Sequence, residues 1–180
     1  MLDLHSISDG NTAHDMVAAI PSNPARPTKQ LAQGVQCGEF SLAFNFDWAR
    51  QIVDQFEVVP MPRAPDWVLG VVNVNGLIVP VVDLANYFSD SAAPAQLQRG
   101  QRLLVGGVQA EDADNALAVL FSQAPAQLEY TAQPLTAGHT LPTRLQEVCK
   151  GMAFGGQARP YFEIDTQLLM DALCAELSVI

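Results

Sequence analysis

Residues 73–84 read NVNGLIVPVVDL: an Asn-Gly pair, an apolar run broken by a proline, then Asp83 and Leu84. Asn75-Gly76 separates GVVNV from LIVPVVDL by two residues. A two-residue type I′ turn needs positive φ at both central positions, and Asn-Gly is the pair that best supplies it. The segment therefore predicts an antiparallel hairpin. Pro80 removes one backbone donor from an otherwise strong strand. Such a loss is tolerated where the missing N–H faces an edge, a bulge or solvent. The same proline bends the strand and blunts its edge against uncontrolled pairing.

On both sides of this hairpin the chain reads as short strands. PMPRAPDWVLGVV (60–72) begins extended under its prolines, and Asp66 is placed to cap a short helical turn carrying Trp67, Val68 and Leu69 that Gly70 ends. LAQGVQCGEFSLAFNF (31–46) fits two strands turning near Gly38. DWARQIVDQF (47–56) fits either a short helix with Trp48, Ile52 and Phe56 on one face or another strand, and periodicity does not decide. RLLVGGVQ (102–109) and NALAVLFS (115–122) read as strands joined by the acidic loop AEDAD, with SDSAAPAQLQRG (89–100) before them as a surface linker. Residues 122–147 look irregular and partly strand. GMAFGGQARPYFEID (151–165) predicts a glycine-turned hairpin. DTQLLMDALCAEL (165–177) predicts a final helix, capped by Asp165 or Thr166, with Leu169, Leu173 and Leu177 at helical spacing. Many short strands, little alternation of strand and helix, and one or two helices point to an all-β barrel or a pair of barrels.

Composition narrows the function. With 180 residues, 49% of them apolar, the chain can bury a sizeable core as one domain, open to division into two lobes. Nine Lys and Arg against nineteen Asp and Glu give a formal charge of −10, which repels a phosphate backbone or an anionic membrane and argues against a nucleic-acid partner. MVAAI (16–20) is too short for a signal-peptide core, and no apolar run approaches the ~20 residues that span a bilayer, so a cytoplasmic protein without membrane insertion is expected. Residues 1–29, with the proline-rich PSNPARP, read as a disordered arm and linker, and residues 30–180 as the folded domain. Cys37, Cys149 and Cys174 form no CxxC pair and read as buried thiols. Glu111, Asp112 and Asp114 lack the glycine and distal glutamate of a calcium loop, and His5, His14 and His139 have no ligand spacing. No serine lies in a G-x-S-x-G context, and neither Gly-Gly pair opens a phosphate loop. The expectation is a protein with no catalytic residues, no metal and no cofactor.

WVLGVVNVNGLIVPVVDLANYF (67–88) is similar to the signature of CheW-like domains, a Gly-Val/Ile-x-Asn-Leu-x-Gly hairpin followed by a strand ending Ile-Pro-Val-x-Asp-Leu. The matching positions are Gly70, Asn73, Gly76, Pro80, Asp83 and Leu84. RLLVGGVQ with NALAVLF resembles the central strand pair of that family, and CKGMAFGGQARPYFEIDTQLL resembles its closing hairpin and terminal helix, so the likeness covers residues 31–175. GVQCGEFSL and PMPRAPDW resemble the PilI-like branch that serves type IV pilus chemosensory systems.

The resemblance implies a mostly β fold: two small five-stranded β-barrel subdomains sharing a hydrophobic core, with a C-terminal helix. It also implies a non-enzymatic adaptor between the cytoplasmic signalling tip of a chemoreceptor and the regulatory domain of a CheA-type histidine kinase. The partner-binding residues it implies around the hairpin are Trp67, Leu69, Asn73, Asn75, Gly76, Val79 and Asp83. Trp67 and Trp48 fit interface anchoring or core packing, and Asp83 fits an interfacial group or a strand-end acceptor of backbone donors.

Relatives usually carry Arg just before the hairpin glycine, where this chain has Asn75, and no Lys or Arg occurs from Ala64 to Gln98. Contacts through this hairpin must then rest on apolar packing and neutral hydrogen bonds. The departure favours an alternative, a structural component of a signalling array that binds kinase or itself without receptor coupling. A small-molecule-binding or hydrolytic barrel is the reading from another class, and a deep pocket with convergent carboxylates is its mark.

Overall fold

A computed structural model describes residues 29–89, 94–107, 116–135, 140–154 and 160–178. Two sets of five strands share one long strand. In the first, β8 (Cys149–Ala153), β9 (Tyr161–Ile164), β2 (Phe40–Asn45), β1 (Gln30–Cys37) and β7 (Leu117–Tyr130) pair in that order. In the second, β3 (Ala49–Val53), β6 (Arg102–Gly106), β7 again, β5 (Leu77–Val82) and β4 (Val68–Val74) do the same. Strand β7 serves both because it changes partner along its length: Leu117 to Phe121 pair with β6, and Ala126 to Tyr130 pair with β1. Ser122 already pairs with Gln36 of β1, and Gln123, at φ 66°, and Pro125 lie in the register shift between that pair and Ala126 with Gly34, where the strand bends from one set to the other.

The side chains sort accordingly. Val72, Val74, Val79, Val81, Leu103 and Val105 fill the second set, an interior of branched aliphatics facing inward on alternate positions. The first set is filled by smaller residues, Ala32, Ala43 and Ala153, with Leu128 and Tyr130. Between the sets lies a third, larger cluster that includes Val35, Leu42, Phe44, Trp67, Val82, Leu104 and Phe121. Helices α1 (Leu84–Phe88), α2 (Thr143–Val148) and α3 (Thr166–Leu177) seal it through Leu84, Leu145, Leu169 and Leu173.

Among the described residues neither set closes by a continuous ladder, and each closes by one isolated bridge: Val59 with Val71 beside β4, and Gln133 with Met152 beside β8. A glycine precedes the bridged residue in both, and a Cβ on Gly70 or Gly151 would collide with the carbonyl oxygen of Val59 or Gln133. The parallel runs further. Both strands carry a register shift at this point, Val68/Gly70 and Cys149/Gly151. Both hairpins then lead into an aspartate-capped helix, Asp83 before α1 and Asp165 before α3. Each cap N–H bonds the residue ahead of the first hairpin strand, Asp83 to the Trp67 carbonyl at 2.9 Å and Asp165 to that of Val148 at 2.7 Å. The fold is thus a structural repeat, with residues 59–88 answered by residues 133–177.

Several expectations change. No helical turn follows Asp66; the Val68 N–H bonds the Pro65 carbonyl at 2.9 Å in a single turn, and Val68 already pairs with Val82. Long-range pairing overrides the local capping signal there. Of the two readings left open for residues 47–56, the strand is the one found, as β3. The stretch 122–147 is more regular than expected, holding the second half of β7 and α2 up to its last residue, and the described helices number three rather than one or two. Of the cysteines only Cys37 is buried; Cys149 is half-buried and Cys174 exposed. Leu177, unlike Leu169 and Leu173, is exposed. Residues 1–28 of the expected arm (1–29), the acidic loop with Glu111, Asp112 and Asp114, and His5, His14 and His139 lie outside the described residues.

Candidate functional site

Asn75 and Gly76 adopt φ 51° and 90°, the positive pair that a type I′ turn requires, and Val74 pairs directly with Leu77 across it. The Asn73 side-chain oxygen accepts from the Gly76 N–H at 2.8 Å, fixing the turn. The Asn75 amide reaches Gln51 Oε1 on β3 at 3.4 Å, so the hairpin tip is tied to the neighbouring strand by neutral groups.

The backbone resolves the place of Pro80. Val71 and Val59 exchange both hydrogen bonds, at 2.8 and 2.9 Å, so the polar groups of Val71 point away from β5. Its partner Pro80 therefore turns its own backbone away from β4. On that side β7 pairs only with Val81 and Val82. The missing donor lies on an open flank, where no ladder bond is lost.

That flank borders a groove of about 310 Å³ between β5 and α3. Met61, Trp67, Ile78, Pro80, Met170 and Leu177 are among its lining residues, and among the described residues no carboxylate lines it. Ile78 is 59% exposed, Met61 40% and Leu177 38%, so the rim is apolar and open to solvent. The α3 wall is fixed by Arg144, which pairs with Glu176 at 3.0 Å and donates to the Tyr87 carbonyl at 2.9 Å. The same guanidinium lies 4.7 Å from the centre of the Tyr87 ring, and Trp67 meets that ring edge-on at 5.2 Å. Burial, and then the Glu176 carboxylate, push the Tyr87 hydroxyl up to about 12, against the lowering effect of Arg144.

The expected contact residues divide by accessibility. Asn73, Asn75 and Gly76 are exposed at the tip, and half-buried Leu69 opens on a depression lined by Phe56, Glu57, Val58 and Leu97. Val79 and Trp67 are buried, at 0% and 5% exposure; Val79 supports the hairpin from inside, and Trp67 lines the groove with little of its own surface exposed. Asp83, half-buried, caps α1 by accepting from the Asn86 N–H at 3.2 Å. Trp48 stacks on Phe44 at 5.1 Å, which makes it a packing residue. Ile78, Met61, Met170 and Leu177 were not expected. In LIVPVV every residue is apolar, so the alternation that turns Ile78 outward is masked, and the α3 contribution depends on a helix distant in sequence.

Burial raises the thiol pKa of Cys37, with Asp83 adding to the effect, so Cys37 is an inert core group. Among the described residues no three His, Cys, Asp or Glu side chains gather as a metal site. No described helix is long and apolar enough to cross a membrane.

Comparison with known proteins agrees with this architecture. A solved structure of the scaffolding protein TtCheW from Thermoanaerobacter tengcongensis superposes with a TM-score of 0.58 at 15% identity, covering 77% of this chain and 90% of that one. The chemotaxis protein CheW of Thermotoga maritima is 38% identical over 47 residues, 26% of this chain; the match spans 31% of that relative's length. The family model described as the CheW-like domain matches residues 32–174. The chain belongs to the CheW-like domain family.

Proposed function

We propose that this chain is a non-enzymatic, cytoplasmic adaptor in chemosensory signalling, which holds a chemoreceptor signalling tip and the regulatory domain of a CheA-type histidine kinase in fixed relative geometry. The observation that carries the reading is the pairing of a rigid hairpin with an apolar groove: Asn73, Asn75 and Ile78 are presented on an uncharged outer face, beside Met61 and Leu177. A rigid surface rimmed by exposed apolar side chains is suited to lasting protein contact. Pro80 turns that contact away from strand addition and toward side-chain packing. Adaptors act by holding partners so that a small change in one biases a two-state equilibrium in the other. Service in a type IV pilus system is the finer form of the proposal, supported by the likeness of GVQCGEFSL and PMPRAPDW to that branch.

Titration calorimetry of the full chain against the kinase regulatory domain and against a receptor-tip fragment tests it. Saturable binding of both is expected, with at least one lost in Ile78→Asp. Binding of neither by the folded protein overturns the proposal. Asn75 favours a second reading, in which the chain binds kinase or itself as an array component, because the hairpin tip contacts Gln51 through neutral groups and carries no cation. Kinase binding without receptor binding selects it.

A further inference from the structure

The two capping aspartates hold equivalent places in the repeat but differ in their surroundings. Asp165 accepts from the Gln167 and Leu168 N–H groups at 3.0 and 3.1 Å, and its second oxygen meets Lys150 on β8 at 3.1 Å. Asp83 caps α1 through one N–H, that of Asn86 at 3.2 Å, and among the described residues no cation pairs with it. The strand equivalent to β8 is β4, which carries no Lys or Arg. Beside Asp83 lies an open cleft of about 490 Å³, whose other polar lining is neutral, including Asn86, Ser89, Gln98, Gln101 and Ser122. It shares no lining residue with the β5–α3 groove.

We propose that this cleft receives an arginine side chain from a partner protein, which supplies to Asp83 the cation that Lys150 supplies to Asp165. A guanidinium suits the site better than an ammonium, because its planar fork can bond the carboxylate while its remaining N–H groups meet the amide and hydroxyl oxygens around it. The acidic balance of the chain favours the approach of such a partner. The cleft gives an adaptor a second contact surface, but the proposal does not depend on the adaptor reading, whose own test is the binding of the kinase and receptor fragments.

The test uses two capped tripeptides, acetyl-Gly-Arg-Gly-amide and its citrulline analogue, which keeps the shape without the charge. Amide resonances of the full chain are followed in each titration. Asp83→Asn is the discriminating variant, since asparagine caps a helix as well as aspartate does and α1 is retained. The arginine peptide is expected to shift Asn86, Ser89, Gln101 and Ser122 saturably and to bind about tenfold tighter than the citrulline peptide, as a charge-assisted hydrogen bond warrants. That preference disappears in Asp83→Asn. Should that variant misfold, Gln98→Lys, at an exposed position of the lining, places a cation at the cleft mouth and must also remove the preference. Equal binding of the two peptides, shifts confined to other surfaces, or an undiminished preference in a folded variant overturns the proposal.

Discussion

Gly70 and Gly76 lie on one hairpin and are glycine for different reasons. Gly76 has φ 90° with open space where a Cβ would go, so Gly76→Ala meets only the cost of a left-handed backbone, about 1 kcal/mol. Gly70 has φ 143°, and a side chain there would also drive into Val59 and Pro60, whose approach closes the strand set. Gly70→Ala should therefore cost about 2–4 kcal/mol, as breaking a buried contact does. Urea unfolding of the two variants checks the order; an equal or larger loss in Gly76→Ala sinks the closure argument. Pro80 makes a milder prediction. Pro80→Val restores an N–H on the open flank of β5, so stability should change by less than about 1 kcal/mol. Self-association, read by sedimentation, should increase as the edge becomes able to pair. The Asn75-Gly76 turn was legible in the sequence because both its residues and its requirement are local. Gly70 was misread as a helix stop because its reason lies in Val59, which no short-range pattern connects to it.

Among the elements, α3 was legible and α2 was not. Leu169 and Leu173 fall at helical spacing behind a capping aspartate, whereas α2 opens at Pro142 with no side-chain cap. β7 was half-legible: Gln123 and Pro125 look like the end of a strand, and only pairing with β1 carries the chain through them. The groove was illegible because its walls come from β5 and α3, brought together by the central core. For α3 the cap makes a pH-dependent prediction. Burial alone would raise the Asp165 carboxyl, but the Leu168 N–H, Lys150 and the Gln167 N–H together hold it below the usual range. A carboxyl depressed by folding contributes stability above its unfolded value, near pH 4, and loses it as pH falls through the folded value. Asp165→Ala should cost about 1 kcal/mol at pH 7. Its melting deficit against wild type should narrow below about pH 4. Asp165→Asn, which keeps the cap and loses only Lys150, should lie between. A deficit that widens on acidification is the result that contradicts this assignment.

For the whole molecule the question is whether the two strand sets are separable. The repeat describes two units, each with its own closing bridge, capped helix and interior. Two features oppose independence. β7 contributes to both ladders, so neither set can open along it without exposing backbone of the other. The central cluster draws Val35, Leu42 and Phe44 from one set and Val82, Leu104 and Phe121 from the shared and second-set strands, so unfolding either exposes the apolar face of both. Burial of that cluster is the largest common driving force, since apolar area removed from water is worth ~25 cal/mol per Å². The first set has an alanine-rich interior that offers little to stand on alone. Calorimetry should show one transition with matching calorimetric and van't Hoff enthalpies, the mark of two-state unfolding. Leu103→Ala lies wholly within the second-set interior, and a fully buried leucine lost there should cost about 2–5 kcal/mol. At about 2–4 °C per kcal/mol for a domain of this size, the whole transition should move down without splitting. Two resolved transitions, with only one displaced by Leu103→Ala, would show that the sets fold separately and that the shared core is an interface between units.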